Sequence, residues 1–344
     1  MKLGIVGLPQ SGKSTIFEAL TGARGEDPTR RPGKTDQRIG TVRVVDKRLD
    51  FLKEIVQPKK TTYAQVEYLL PAEIGAGPGS GGLNQARVCD ALIHVVRNFV
   101  APGGLSPAPE RDFWKYEEEM ILNDLVVAEK RIERMDLDLK RGKKPDPDEH
   151  NLIKSCLSLL EDNQPLRKDP QLATAPKLRG FTFLTAKPQL VIINNDDDDE
   201  SMPEWKLRPE NVEMMMVRGR LEKDIASMSP EEAEEFMAEF HIEESALDRV
   251  IRTSYAILDR ISFFTIVNQE IRAWTVPAGT PAVKAAGTVH SDMERGFIRA
   301  ETVSFEDLKA HGSFQEAKKA GAVRLEGKDY LVQDGDIINF RFNI

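Results

Sequence analysis

Gly7-Leu8-Pro9-Gln10-Ser11-Gly12-Lys13-Ser14-Thr15 decides how the rest of the chain is read. The stretch is G-x-x-x-x-G-K-[ST], the pattern of a loop that wraps phosphate groups. Leu3, Ile5 and Val6 before it predict a short buried strand, and Ile16, Phe17, Ala19 and Leu20 after it predict an apolar helix face. Strand, glycine loop and helix are the context this chemistry needs. Gly7 and Gly12 let backbone N–H groups close around phosphate oxygens, and the helix N-terminus adds a favourable dipole. The nucleotide-binding set is therefore Gly7, Leu8, Pro9, Gln10, Ser11, Gly12, Lys13, Ser14 and Thr15. Lys13 brings its ammonium to the β- and γ-phosphates and is the candidate catalytic residue, while the Ser14 hydroxyl is a candidate ligand of Mg²⁺.

The chain has 344 residues, enough for two or three domains of about 100–200 residues each. An apolar fraction of 40% permits sizeable cores. No apolar run reaches the roughly 18 residues of a membrane span, so no membrane is expected among its partners. The first strand begins at once and leaves no room for a signal peptide. Cys89 and Cys156 lie far apart without metal-ligand spacing, so a reducing, cytoplasmic location without structural zinc is expected. A net charge of −8 argues against wholesale non-specific nucleic-acid binding.

Residues 22–38 are polar and rich in Gly, Pro and Arg, and read as a mobile loop. In a nucleotide switch protein this loop folds over the γ-phosphate, which makes Thr35 the first candidate to reach Mg²⁺ and Thr41 the second. Thr41–Val45 and Ala64–Leu70 predict strands, Arg48–Val56 a helix, and Pro71–Gly82 a flexible glycine-rich stretch. Asp90–Val96 is a continuous apolar run suited to a buried parallel strand, with His94 expected as a satisfied core histidine.

A Pro- and Gly-rich segment at 101–110 marks a boundary before a long helix. Ile121, Leu125, Ala128, Ile132, Met135 and Leu139 form a seam of a/d type. Asn151–Leu160 gives a second helix with Ile153, Leu157 and Leu160 on one face, so an antiparallel hairpin inserted in the nucleotide domain is expected. Its tip carries Lys140, Arg141, Lys143 and Lys144, a candidate RNA contact or a solvated helix end.

Gln189–Ile193 predicts another buried strand that leads into Asn194 and Asn195, followed by the acidic run Asp196–Glu200, read as solvated charge. Loops at the carboxyl ends of parallel strands are where open α/β sheets bind ligands, and an Asn there can read a purine edge. Met214–Val217 predicts a further strand with its Met run in a core, and residues 222–260 are helical and acidic, with Ser229 as a cap before Pro230. From Phe263 the pattern changes. Phe263–Ile266, Ile271–Val276 and Asp329–Val332 predict strands, and Ile338, Phe340, Phe342 and Ile344 alternate with Ile337, Asn339, Arg341 and Asn343 as a half-buried one. This block reads as a small mixed domain compatible with a β-grasp.

The chain resembles the Obg-like ATPases, the YchF branch of the Obg-related P-loop NTPases. GLPQSGKSTIFEALTG is similar to the family's phosphate loop, and RVVDKRLDFLKEIVQP and DALIHVVRNF to its later segments. The firmest likeness is the carboxyl third: FFTIVNQEIRAWTV, AAGTVHSDMERGFIRAETVSFEDL and RLEGKDYLVQDGDIINFRFNI are similar to the family's TGS domain. The resemblance implies an α/β P-loop NTPase with a mostly parallel sheet, an inserted coiled-coil hairpin and a carboxyl-terminal β-grasp (TGS) domain. The expected limits are 1–100 and 171–260 for the nucleotide domain, 101–170 for the hairpin and 261–344 for the TGS domain. It further implies slow nucleotide hydrolysis, a tendency to prefer ATP over GTP, Mg²⁺ as cofactor, and ribosome or RNA contact through the TGS domain and hairpin.

Two departures from the family pattern stand out. Leu70 and Glu73 occupy the positions of the Asp and Gly in the family's Asp-x-x-Gly turn, so a metal-shell carboxylate and a γ-phosphate N–H are missing. The base-reading Asn-x-x-Glu becomes Asn194-Asn195-Asp196-Asp197; Asp197 also resembles the guanine-reading Asp of GTPases, which leaves ATP and GTP both open. Gly219, within Arg218-Gly219-Arg220, offers a backbone N–H to a base oxygen. Three readings follow: a slow ATPase or GTPase, a non-hydrolysing nucleotide-binding scaffold or sensor, and, least favoured by the intact loop, a nucleotide-independent RNA-binding module.

Overall fold

Seven strands line up in one sheet in the order Thr29–Arg30, Arg38–Arg43, Gln65–Leu70, Lys2–Val6, Ala91–Asn98, Gln189–Asn195, Glu213–Val217. The last five are mutually parallel, and Thr29–Arg30 runs antiparallel to its neighbour. The computed structural model describes residues 1–22, 29–30, 37–72, 81–101, 103–240, 242 and 244–343. They form two compact units: Met1–Val42 with Val66–Ile257, and Arg43–Gln65 with Leu258–Ile344.

In the first unit all seven residues of Gln189–Asn195 are buried, as are all but the last of Ala91–Asn98. Burial on both faces requires continuous apolar runs in place of alternation, which is why these strands read so plainly in sequence. The register pairs Val6 with His94, Arg97 with Asn194, and Asn194 with Val217. The carboxyl ends of these strands therefore deliver residues 7–12, 196–200 and 218–220 to one edge of the sheet.

The inserted hairpin consists of helices Pro109–Lys140 and Pro147–Glu161. Ile121 and Ala128 from the first pack with Ile153, Cys156 and Leu160 from the second, while Leu125, Ile132 and Leu157 are partly buried at the edge. Cys156 takes the central place that the spacing assigned to Leu157. Leu139 is half exposed, so the seam ends one turn before the helix does. Asp146 caps the second helix by accepting from Asp148 N (3.0 Å) and also accepts from Lys177 Nζ (2.7 Å).

The root of the hairpin is polar. Asp124, fully buried, accepts from Arg87 NH1 (2.8 Å), Leu184 N (3.0 Å), Thr185 N (2.7 Å) and Thr185 Oγ1 (2.9 Å). About two turns earlier Glu117 pairs with Arg167, which also donates to Thr185 O (3.1 Å). Hydrophobic periodicity is blind to this clamp, because its members are acids and bases on three distant segments.

The second unit has a six-stranded mixed sheet: Arg324–Glu326, Phe297–Val303, Ile337–Phe342, Arg260–Val267, Glu270–Pro277, Lys60–Thr62. Arg260–Val267 and Glu270–Pro277 form an antiparallel hairpin through Asn268 and Gln269, whose φ values of 52° and 63° suit a tight two-residue turn. Phe263, Ala282, Ala285, Ala286, Ala300 and Ile338 fill its core.

Two expectations are corrected here. Asp329–Val332 is not a strand; Leu331 makes one isolated bridge to Pro281, formed by Ala282 N to Tyr330 O (2.7 Å) and Val332 N to Thr280 O (3.0 Å). In the last strand Ile337 is as buried as Ile338 and Phe342 is exposed like Arg341, so alternation holds only from Ile338 to Arg341.

Residues 43–65, expected inside the 1–100 limits of the nucleotide domain, also belong to this unit. Lys60–Thr62 adds a parallel edge strand to Glu270–Pro277. From helix Lys47–Val56, the Arg48 guanidinium sits 5.3 Å over the Phe264 ring and donates to Asp334 Oδ2 (2.8 Å). Phe51 meets Phe305 edge-on at 5.6 Å.

Arg167→Met removes the partner of a buried carboxylate. The expected cost is about 3–5 kcal/mol, read as a lowered urea midpoint; replacing Glu117 and Arg167 together by apolar residues recovers most of it.

Candidate nucleotide-binding site

The phosphate loop connects strand Lys2–Val6 to helix Lys13–Gly22. Gly7 (φ 144°) and Gly12 (φ 93°) hold backbone conformations that side chains disfavour, and Gln10 adds a left-handed residue (φ 62°) at the exposed tip. Space is as restrictive as conformation. A Cβ on Gly7 would overlap Val95 O, and one on Gly12 would overlap Asn194 Nδ2. The loop closes on itself through Ser11 N to Leu8 O (3.3 Å), and Ile16 N to Gly12 O (3.0 Å) starts the helix.

Lys13 is buried and donates from Nζ to Leu8 O (2.7 Å). That places the ammonium over the mouth of the loop. Ser14, the next residue, is exposed, and Thr15 half-buried. Ser11 is buried, with an Oγ that makes no hydrogen bond among the described residues. Pro9 and Gln10 are exposed, whereas Leu8 packs against Val6, Tyr116 and Leu184.

Asn194 holds the site together. Its Nδ2 donates to Ser11 O (3.1 Å), and its Oδ1 accepts from Gly219 N (3.0 Å). Both ends of the amide are thus committed to backbone, and the side chain is buried. The Asn194 amide spaces the two loops while its Nδ2 carries a second hydrogen, and the Gly219 N–H donates to Asn194 Oδ1 in this structure. Gly219 is still required, since a Cβ there would lie 2.7 Å from Asn194 Oδ1 and 2.8 Å from Ile16 Cδ1. Asp197 is the member of the base loop that remains partly open. Its Oδ1 accepts from Leu221 N (3.1 Å), and its Oδ2 lies 3.8 Å from Arg220 Nε.

His94 behaves as a core residue. Its Nδ1 is 3.2 Å from Gln189 Nε2, and its ring stacks on Phe113 (5.1 Å) and tilts against Tyr116 (4.9 Å). Burial, with Arg167 and Lys13 nearby, pushes its pKa down to about 3, so the imidazole is neutral. Tyr116 in turn hydrogen-bonds the Gly7 backbone.

A cleft of ≈ 220 Å³ adjoins Leu8–Ser11 and takes in Arg97, Arg111, Asp112 and Lys115. Three cations against one acid favour an anion on that side of the loop. Sequence reading missed these residues, since they lie some 90 positions from the motif and match no pattern. Leu70 ends its strand buried among apolar residues and offers no oxygen. Thr35 and Glu73 lie outside the described residues, and Thr41 sits within strand Arg38–Arg43. Among the described residues no group of three or more His, Cys, Asp or Glu side chains is placed to hold a metal ion, and no helix is long and apolar enough to cross a membrane.

Sheet order, loop and helix define a P-loop nucleotide-binding protein. Residues 2–53 match the family model of the 50S ribosome-binding GTPases, and residues 260–343 match the YchF GTPase carboxyl-terminal model, described as a protein of unknown function. Two curated relatives, each called ribosome-binding ATPase YchF, are 40% identical over 363 residues. The one from Bacillus subtilis (strain 168) aligns over 99% of this chain and 99% of its own length, the one from Escherichia coli O157:H7 over 100% and 99%. The structure of the Schizosaccharomyces pombe YchF GTPase superposes with a TM-score of 0.83 at 27% identity, covering 99% of this chain and 97% of that one. The chain belongs to the YchF family.

Gly12→Ala strains the loop and displaces Asn194 together. Nucleotide affinity is expected to fall by roughly 30–100-fold, the equivalent of about 2–3 kcal/mol, measured by calorimetry.

The neutral His94 also sets a pH dependence. Its folded pKa lies below the 6.5 of the unfolded chain, so between pH 6.5 and about 3 the unfolded chain binds the extra proton. This contribution is fully present above pH 6.5 and is lost as pH falls, at up to about 1.4 kcal/mol per unit. A His94→Asn variant is expected to show a flatter fall in stability over that range in urea titrations at stepped pH.

Proposed function

We propose that this chain binds ATP or GTP together with Mg²⁺, hydrolyses it slowly, and works on the ribosome in the cytoplasm. The observation that carries the nucleotide part is the loop itself: two glycines that no other residue can replace, Lys13 poised at the mouth, and Asn194 bracing the wall. The ribosome part rests on the relatives' names and on the match of residues 2–53.

When the β- and γ-phosphates enter, Lys13 Nζ exchanges Leu8 O for phosphate oxygens and stabilises charge as water attacks the γ-phosphorus. The bond to the β-phosphate bridging oxygen breaks, and the products are the diphosphate and inorganic phosphate. Ser14 Oγ, exposed beside Lys13, fits a metal-bound phosphate pair, and Thr35 is the second protein oxygen in this reading. Mg²⁺ bound with the nucleotide neutralises part of the phosphate charge. Leu70 contributes nothing to that shell, and no described side chain stands as a general base.

Asp197 is the base-reading residue in this proposal, its carboxylate accepting donors from guanine or from a purine amino group. The second unit serves as a TGS-type module, and it and the basic hairpin tip (Lys140, Arg141, Lys143, Lys144) contact the ribosome or its RNA. Leu70 favours a second reading, a nucleotide holder that barely turns over, since losing one such contact slows transfer about a hundredfold.

Equilibrium binding and single-turnover hydrolysis with ATP and GTP separate the two. The enzyme reading expects turnover that Lys13→Ala lowers at least about a hundredfold. Tight binding without turnover leaves the holder, and no binding at millimolar nucleotide refutes both. Asp197→Glu is expected to change the ATP-to-GTP affinity ratio, and an unchanged ratio removes Asp197 from base reading.

A further inference from the structure

The cleft of ≈ 220 Å³ beside the phosphate loop runs from Leu8–Ser11, past the end of strand Ala91–Asn98, to Arg111, Asp112 and Lys115 on the first turns of helix Pro109–Lys140. Lys13 shows which phosphate it adjoins. In a loop of this kind that lysine serves the β- and γ-phosphates. Here its Nζ donates to Leu8 O (2.7 Å), and Leu8 is part of the cleft wall. The cleft therefore opens beside the γ end of a bound triphosphate.

The helix is held against the loop at this point. Tyr116 packs with Leu8 and hydrogen-bonds the Gly7 backbone. Lys115, the residue before it, lines the same cleft as Pro9 and Gln10.

The three cations of the cleft are not equivalent. Arg97 is buried and spent on the wall, donating to Phe99 O (2.9 Å), Leu105 O (2.9 Å) and Ser106 O (3.3 Å). Arg111 donates to Asp112 Oδ1 (3.0 Å), and Asp112 Oδ2 also lies 3.7 Å from Arg97 NH2. The one carboxylate of the cleft is thus shared between two guanidiniums. Lys115 is exposed, and among the described residues none makes an ion pair or hydrogen bond with its side chain. Its flexible four-carbon stem leaves the ammonium able to move onto an anion.

We propose that Lys115 reads the γ-phosphate: its ammonium pairs with the terminal phosphate oxygens of a bound nucleoside triphosphate and makes the site favour triphosphate over diphosphate. This deepens the nucleotide-binding function proposed for the loop and depends on it. The terminal phosphate is the group lost on hydrolysis, so a cation placed on it distinguishes the two states of the nucleotide. Lys13 does not supply that distinction alone, because it serves the β-phosphate as well. Other phosphoryl-transfer sites receive such a charge from a second element, in the same chain or from a partner. Here the second element is the root of the inserted hairpin. Lys115 exchanges no proton and forms no covalent bond in this role.

The test measures, by calorimetry on the full chain with Mg²⁺, the affinities for ADP and GDP and for their β,γ-imido triphosphate counterparts. Lys115 is exposed, so Lys115→Gln retains the fold. It is expected to weaken the imido-triphosphates about tenfold and the diphosphates less than about twofold, while Lys115→Arg keeps most of the preference. Arg111→Gln, whose guanidinium is held by Asp112, is expected to change the ratio less than about threefold. If the wild-type chain binds nucleotide and Lys115→Gln leaves the ratio unchanged, or weakens both kinds equally, Lys115 does not read the γ-phosphate. An equal drop of the ratio in Arg111→Gln makes the effect one of the general field and overturns the Lys115 contact. No binding of any of the four by the wild-type chain refutes the nucleotide reading itself, and this inference with it.

Discussion

One buried amide, that of Asn194, joins the two loops on which the nucleotide site depends. It stands at the carboxyl end of a fully buried strand, donating to the phosphate loop at Ser11 O and accepting from Gly219 N. The loop's phosphate-facing N–H groups are useful only if the backbone behind them is held still. Asn194 does this from the end of a strand separated from the loop's own by Ala91–Asn98, and the space it needs explains the glycines at 12 and 219. A parallel sheet with this register is what brings Ser11 and Asn194, 183 positions apart, to the same edge.

The wall on the other side of the loop is the inserted hairpin. Tyr116 packs on Leu8 and hydrogen-bonds Gly7, and His94 sits between Phe113 and Tyr116. The first turns of the long helix therefore back the phosphate loop, and its next turns are clamped by Glu117 and Asp124 to Arg167, Arg87 and Thr185. Shifts of the loop and of the hairpin root are mechanically tied, because close-packed rings and saturated carboxylates have few alternative arrangements. The same constraint keeps His94 neutral.

The chain departs from its family resemblance where catalysis is most sensitive. Leu70 closes its strand with a buried apolar side chain where the family resemblance leads one to expect a carboxylate. In the loop that follows, Gly219 N donates to Asn194 Oδ1 and Leu221 N to Asp197 Oδ1.

Much of this was legible from residue order. Gly7, Gly12, Lys13 and Ser14 announce a phosphate loop because only that spacing meets the steric demands of a backbone nest. Continuous apolar runs at 91–96 and 189–193 mark strands buried on both faces, and the 4–3 spacing from Ile121 to Met135 marks the hairpin. Local chemistry determined these features, so local sequence reports them. Packing alone decided that residues 43–65 join the carboxyl-terminal sheet, that Leu331 stops short of a strand, and that Arg97, Arg111 and Lys115 flank the loop. It also committed the Asn194 amide to backbone, since a hydrogen bond between residues far apart in the chain exists only once the sheet has set them side by side.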